Sequence, residues 1–482
     1  MSQSKNHKDV RGQMSGLKRR EFIAAALSGV AAVGGCLSSA RRGEASEQQT
    51  KQAYGEKLAT PIVGHAQVIV AGGGPSGFIA ALAAARSGAD TLLIERYPFL
   101  GGTGTAGLMT AYNGFRNQGP GQTGGYSADR IHPGGVTPDR APEALQAVKG
   151  IPAEYIAELV RLGGLCDDDG EANSYPQTKH NNKAGDLSFS IGFDPEVAKM
   201  AMLKMIQKDG VRLRLHSWVV GPLLEGSRVA GVIVESKSGR QAFTADIVVD
   251  ATGDGDIAAR AGAAFKTTPE KDQMVMSLMY RVGGVTAPRG GIRIGDKVVR
   301  WGPGFQGDGL DADVLTRGEV ETRLKLWDSF QENKKKPGYE SASLLQTGTG
   351  IAVRETRHIV GEYTVTAQDA IKGTRFPDVI AISANPMPGY EGKRFFFAHE
   401  GFDVPYRSLV PVKVEGLLLT GRCISCEQGP FRSARSMAPA MAIGHAAGCA
   451  AALTAKKGIN PRKLDVKELQ KLLISQKAEL RI

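Results

Sequence analysis

A chain of 482 residues is long enough for roughly two to four conventional domains. Its 41% apolar and 23% charged residues exclude a chain that is mainly disordered. The net charge of +11 is uneven, with Lys5, Lys8, Arg11, Lys18, Arg19 and Arg20 set against only Asp9 and Glu21 at the start, and no zinc-finger spacing or aromatic–basic signature points to nucleic acid.

Residues 1–40 read as an export signal rather than as part of a fold. A polar basic stretch ends in Lys18-Arg19-Arg20-Glu21-Phe22-Ile23, and the apolar run Phe22 to Gly35 follows. That run is shorter than the ~20 residues a bilayer span needs, and no later stretch reads as a span, which excludes a polytopic membrane protein. The order basic, apolar, small is that of a secretion signal, and the paired arginines resemble the twin-arginine class. Val33-Gly34-Gly35-Cys36 resembles a lipobox with Cys36 as the lipidated residue; cleavage after Ser38-Ser39-Ala40 is the alternative. The expectation is passage across a bacterial inner membrane through the twin-arginine export machinery to a periplasmic or lipid-anchored location. Membrane contact is then through the signal or the lipid on Cys36 alone. The competing reading is a frayed, uncleaved N-terminus. Residues 41–61 are polar, without periodicity, and read as a linker.

His65 to Val70 leads into Gly72-Gly73-Gly74-Pro75-Ser76-Gly77, then FIAALAAARSGA, then DTLLIE. That is a strand, a Gly-rich turn, a helix and a second strand closed by Glu95. Glycine is abundant in the chain, 62 residues, and here it has a task. Gly72 permits the tight turn, Gly74 admits a pyrophosphate to the backbone, and Gly77 lets the helix sit against the sheet, with the helix N-terminus facing the negative charge. Glu95 is placed for ribose hydroxyls. A second small-residue loop, Gly101-Gly102-Thr103, follows Arg96; a flavin dinucleotide is longer than NAD and needs such extra close-approach backbone. An NAD-dependent dehydrogenase is disfavoured on that ground.

Further along, a helix is predicted near Pro152–Leu162, and Asp194-Pro195 starts another that runs to about Asp209. VRLRLHSWVV reads as a strand, and residues 229–250 as a hairpin returning to a buried strand that ends in Thr252-Gly253-Asp254. Between 266 and 404 the pattern gives polar strands, a loop from Trp301 to Gly309 and a helix near Val320–Asn333. VEGLLLTGRC is a last buried strand ending in Gly421-Arg422. Ser436 is placed to cap a helix of small residues stopped by Gly458, and 461–482 form a C-terminal helix and tail. No second strand–GxGxxG–helix unit occurs, so a dedicated NAD(P)H domain is not expected.

These ordered motifs resemble the FAD-dependent oxidoreductase family of the glutathione-reductase-like flavoprotein superfamily over roughly residues 66–460. The stretches that carry the likeness are GGGPSGFIAALAAARSGADTLLIERYPFLGGTGT, DIVVDATGDGDIAARAGA, IAVRETRHIVGEYTVT, VPYRSLVPVKVEGLLLTGRCIS and RSMAPAMAIGHAAGCAAAL. The resemblance implies an α/β fold: a Rossmann-like FAD-binding domain, three-layered, with a parallel sheet plus β-meander, built from 62–110, 193–265 and 405–460. An inserted α+β substrate or cap domain would come from 111–192 and 266–404. It implies FAD, with Gly72, Gly74, Ser76 and Gly77 at the pyrophosphate and Glu95 and Arg96 at the adenosine. Gly101, Gly102 and Thr103 would lie along the phosphates and flavin side, and Val219 at the adenine. Thr252, Gly253 and Asp254 would line the second crossing, and Gly421 and Arg422 the ribityl chain. The helix opening near Ser436 would point at the flavin pyrimidine edge.

Flavin chemistry belongs to the cofactor, while protein groups position substrate and move protons. Arg354, Glu355, Arg357 and His358 form a charged cluster in a β-branched stretch. If extended, Arg354, Thr356 and His358 share one face, which suits an anionic or hydroxylated substrate and a proton-accepting His358; Glu355 and Arg357 share the other. A structural ion-pair strip is the competing reading. Arg435 would place positive charge near reduced flavin or substrate, and Tyr406 and Arg407 would roof the site. His445 stands where relatives commonly have Gln. Relatives also carry an Asp-x-His pair before the PYRSL stretch that this chain lacks, with His399 the nearest histidine. Cys423 and Cys426 have redox spacing, though packing is the favoured role; the acidic run Asp167–Glu171 lacks calcium-loop spacing. The reading is an exported FAD-dependent oxidoreductase that passes a hydride between a small or carbohydrate-like substrate and flavin N5. An unnamed electron acceptor completes the cycle, and no metal or nucleic acid is expected. A non-catalytic flavin-binding or scaffold lipoprotein is the alternative.

Overall fold

The computed structural model describes residues 58–119, 127–137, 140, 145–166, 187–286 and 291–482. The expected export signal, Cys36, nearly all of the expected linker and the acidic run Asp167–Glu171 lie outside the described residues. Residues Ala59–Ile482 form one compact unit.

The central sheet has seven strands in the order Arg212–Arg214, Thr91–Ile94, Ile62–Ala71, Gly239–Asp250, Arg228–Ser236 and Trp218–Glu225, with Leu417–Leu419 also paired to Gly239–Asp250. Its first four strands and Leu417–Leu419 run parallel, and the remaining pairs are antiparallel. The parallel part explains the continuous apolar runs. Val68 to Val70, Leu93, Val248, Val249, Leu418 and Leu419 have no exposed surface, because both faces of such strands are covered. The registers Val70↔Leu93 and Ala71↔Asp250 bring the carboxyl ends of three strands to one edge of the sheet.

Helix Pro75–Arg86 and helix Met437–Lys457 pack together beside this sheet. Both are dominated by alanine and glycine, and nearly all of their residues are buried. By length and composition, with a mean hydropathy of 1.3, Met437–Lys457 would suffice to cross a membrane, which corrects the expectation that no later stretch qualifies. It is instead a core helix, with 89% of the apolar stretch buried.

A second, four-stranded antiparallel sheet has the order Ile292–Ile294, Lys297–Phe305, Met276–Gly283, Ser343–Thr347. Helix Ala312–Asn333 covers it through Thr322, Leu326 and Phe330, packing on Leu278, Val282 and Val298. This helix starts earlier than the apolar periodicity suggests, because Asp311 caps it by accepting hydrogen bonds from the Asp313 and Val314 N–H groups. Trp301 lies inside a strand of this sheet rather than in a loop.

Two other strand expectations fail. VRLRLHSWVV is broken by His216 at φ 53° into Arg212–Arg214 and Trp218–Glu225. In IAVRETRHIV only Arg357–Ile359 is a strand, paired with Phe265–Thr267. The helix from Pro195, capped by Asp194, and the αL stop at Gly458 are as expected.

Candidate functional site

At the carboxyl edge of the parallel strands the chain turns through Gly72 at φ 104°, and a Cβ there would lie 2.4 Å from the Ala251 carbonyl oxygen. At Gly77 it would lie 1.9 Å from the Gly72 carbonyl oxygen, so the helix start is folded onto its own turn. At Gly74 an added Cβ would meet nothing within 4 Å: this position faces open space. No side chain caps the helix, so its first N–H groups present their positive end there. The second loop closes onto the first. Gly101 donates its N–H to the Gly73 carbonyl at 2.8 Å, and a Cβ on Gly102 would sit 2.9 Å from Gly74 Cα.

Glu95 ends the neighbouring strand and is buried. Its carboxylate accepts from the Gly73 N–H at 2.6 Å and the Tyr97 N–H at 2.9 Å. Burial pushes this carboxyl group upward, and those two N–H bonds work against the rise. The Arg96 guanidinium lies 4.9 Å from the Tyr97 ring centre and 5.8 Å from that of Trp218.

Opposite, the fully buried Asp250 organises the Thr252–Asp254 loop. Its carboxylate accepts from the Thr252 N–H and hydroxyl, at 3.1 and 2.6 Å, and from the Ile257 and Ala258 N–H groups at 3.0 Å. Arg422 then ties this loop to its surroundings, donating to the Gly253 carbonyl at 3.1 Å, to Asp254 at 2.8 Å and to the Val353 carbonyl.

One cavity of about 500 Å³ runs along these loops. Its wall includes Gly72, Gly74, Ser76, Glu95, Arg96, Gly102, Thr103, Val219, Thr252, Gly253, Asp254, Gly421 and Arg422. Of the fifteen residues expected at the cofactor, only Gly77 and Gly101 stand behind the wall, where they hold the cradle's shape. The uncapped helix start, the open space at Gly74 and the acid at the strand end fit an extended dinucleotide.

The charged cluster divides. Arg354 and Arg435 reach the cavity wall; Glu355, Arg357 and His358 do not. Because the strand begins only at Arg357, the predicted alternation of faces does not apply to residues 354–356. His358 Nε2 meets Glu355 at 3.1 Å, although the two were expected on opposite faces. Glu355 also accepts from the Thr268 hydroxyl, the Met274 N–H at 3.1 Å and Gln428. Burial is the largest single influence and acts to raise its carboxyl group, but the bonds from His358, Thr268 and the Met274 N–H and the attraction of His358 together outweigh it, and the net shift is downward. Arg357 donates to the Asp254 carbonyl and to Asp256, both at 3.0 Å. Arg357 thus braces the loop at Asp254–Asp256, while Glu355 with His358 ties Thr268, Met274 and Gln428 together.

Arg354 donates to the Ser277 hydroxyl at 2.8 Å. Arg435 Nε is shielded from solvent without a hydrogen-bond partner among the described residues. Burial, then the like charges of Arg354, Arg422 and Arg432, lower the Arg435 guanidinium to about 9. Ser436 stands at the start of the long helix but does not cap it with a side-chain bond; its hydroxyl accepts from Asn385 Nδ2 at 2.8 Å. Ser436, Met437 and Ala440 face the cavity.

The expectation that Tyr406 and Arg407 roof the site is corrected. Tyr406 is buried with its hydroxyl on the Pro461 carbonyl at 2.8 Å, and Arg407 pairs with Asp378 at 2.9 Å, so neither roofs the site. His445 is buried against Gln476 at 2.8 Å, and burial lowers its imidazole to about 4. His399 bonds to the Gly401 and Ala370 carbonyls. Cys423 and Cys426 are free, buried thiols pushed upward by burial, as packing residues would be. Met274, Ser277, Met279, Trp301, Asn385 and Arg394 form wall that sequence reasoning missed. They come from remote segments that carry no motif.

A family described as FAD dependent oxidoreductase matches residues 67–302 and 287–473. No curated protein matches the chain. Among solved structures, a geranylgeranyl bacteriochlorophyll reductase-like protein from Thermoplasma acidophilum is 17% identical, covering 86% of this chain and 84% of its own, at a TM-score of 0.40. The myxobacterial chondrochloren halogenase is 16% identical, covering 86% and 80%, at a TM-score of 0.42. The p-nitrophenol 4-monooxygenase of Pseudomonas putida is 12% identical, covering 86% and 85%, also at 0.42. Similarity this distant says nothing about substrate.

Proposed function

Starting from a chain that belongs to the FAD dependent oxidoreductase family and uses FAD as its cofactor, we propose that it oxidises a small organic donor inside the cavity and passes the electrons on to a separate acceptor. The observation that carries this reading is the continuity of one cavity from the glycine cradle to Arg354 and Arg435. Bound FAD supplies two-electron redox chemistry, accepting a hydride from a donor carbon.

The chain's own groups have separable tasks. The N–H groups at the start of helix Pro75–Arg86 bind the pyrophosphate, and Glu95 orients the ribose. Arg422 holds the Gly253–Asp254 loop in place along the cofactor. The start of helix Met437–Lys457 and Arg435 bring positive potential to the other end, where negative charge gathers on reduction. Trp301, Met274 and Met279 present apolar surface that excludes water from the donor.

Anaerobic rapid mixing of the yellow holoprotein with a panel of donors tests the reaction. Loss of the visible flavin absorbance with at least one donor is expected; a flavin that no donor bleaches would refute dehydrogenation. We place this activity outside the inner membrane, on the order of basic, apolar and small residues before Cys36. A reporter fused to residues 1–57 should be exported, and Arg19→Lys with Arg20→Lys should retain it in the cytoplasm.

A further inference from the structure

Three guanidinium groups outside the glycine loops line the cavity: Arg354, Arg394 and Arg435. The acids on the wall are engaged elsewhere. Glu95 accepts from backbone N–H groups, Asp254 from Thr356 and Arg422, and Asp256 from Arg357. Glu355 is the acid that acts electrostatically on Arg435, yet its oxygens already serve His358, Thr268, Met274 and Gln428. Arg435 therefore holds a donor, Nε, that is buried and without an acceptor among the described residues. A solvent-shielded donor left this way is costly unless something that enters the cavity completes it.

The cofactor's phosphates do not answer this need, because they belong at the helix start by Gly72 and Gly74, while Arg435 ends the segment before Met437 and lies by Asn385 and Ser436. The same wall carries apolar side chains, Met274, Met279, Trp301, Ile351 and Met437, beside polar ones such as Ser277 and Asn385. A guanidinium fork matches the two oxygens of a carboxylate, and thioether and indole surfaces match a hydrocarbon body.

We infer that the substrate is an amphiphilic carboxylate, its carboxyl group seated on Arg435 beside Arg354 and its apolar body against Trp301 and the methionines. This rests on the reading above that the glycine end of the same cavity holds FAD. In balance with that reading, the carboxylate takes no part in the electron transfer and only fixes the donor carbon.

The test is calorimetric titration of the purified full chain, with FAD bound, using 3-phenylpropionate and its uncharged match 3-phenylpropanamide. The acid should bind at least about tenfold more tightly than the amide, as expected for a charge-assisted pair. Arg435→Gln should remove that preference, Arg435→Lys should restore part of it, and Arg354→Gln should weaken it, each compared at equal bound FAD. Equal affinity of the wild-type protein for acid and amide would overturn the inference without need of any variant. So would an Arg435→Gln protein that keeps the preference while its flavin midpoint potential falls, since Arg435 would then serve the cofactor alone. Should the chain take up no flavin, the oxidoreductase reading fails, and the acid–amide comparison on the same chain still decides this one.

Discussion

A Cβ placed on Gly444 would lie 2.1 Å from the carbonyl oxygen of Ser76. One turn further, a Cβ on Gly448 would lie 2.1 Å from the Ala80 carbonyl. Two helices thus meet backbone to backbone along glycines four apart, and one end of that contact is the cofactor cradle itself. Gly444→Ala and Gly448→Ala should each force the helices apart at a cost of about 1–3 kcal/mol or more. Gly444→Ala should also release FAD, whereas Gly448→Ala, away from the cradle, should mainly lower the melting temperature. Thermal melts with flavin quantitation separate the two, and unchanged melting in both would contradict the packing described.

Glu95→Ala leaves the N–H groups of Gly73 and Tyr97 without their acceptor and removes the partner proposed for the ribose. A hydrogen bond to a charged group contributes about 1.5–3 kcal/mol, so the FAD dissociation constant should rise at least about tenfold. Glu95→Gln, which retains one acceptor, should fall between. Fluorescence titration of the apoprotein with FAD reads both.

Glu355 and His358 separate a catalytic from a bracing role. Glu355→Ala removes the acceptor of Thr268, the Met274 N–H, Gln428 and His358 at once, so it should destabilise the fold by about 2–4 kcal/mol. Turnover normalised to bound FAD should stay near the wild-type value. A large loss of normalised turnover with an intact melting temperature would return these residues to the chemistry.

His445 gives a pH dependence with a definite sign. Its imidazole titrates near 4 in the folded chain, below an ordinary histidine at 6.5, because burial penalises the charged form. Between those values the unfolded chain binds more protons, so this contribution is complete above pH 6.5 and is lost as the pH falls toward 4. The loss amounts to about 3 kcal/mol at most. His445→Gln should flatten the stability profile in that window. Denaturant titrations at pH 7 and pH 5 measure it, and a parallel pair of profiles would contradict the assignment.

The thiols should be silent. Cys423, Cys426 and Cys449 are buried, and burial raises all three, Cys449 to about 12. Among the described cysteines Cys166 is the accessible one, so a thiol reagent should label it first in the native protein. Cys426→Ala should leave the flavin spectrum and turnover unchanged; a changed potential would indicate a working dithiol.

The cradle was readable from the chain alone because its physics is local. Gly72, Gly74 and Gly77 meet a strand end and a helix start within six residues, and Glu95 follows on the adjacent strand, so spacing alone brings them together. The close contact of Gly444 with Ser76 was likewise foreshadowed by the small residues of the long helix. The rest of the cavity wall was not readable. Arg354, Arg394, Arg435, Trp301 and Asn385 converge from separate segments, and only tertiary packing decides which of them faces inward. The same packing decided against Glu355, Arg357 and His358. Their alternation presumed a strand that starts only at Arg357, and three partners of Glu355 far away in sequence, Thr268, Met274 and Gln428, turn it from the cavity. Short-range geometry is written in neighbouring residue types, whereas the direction of a buried charge depends on which distant group satisfies it.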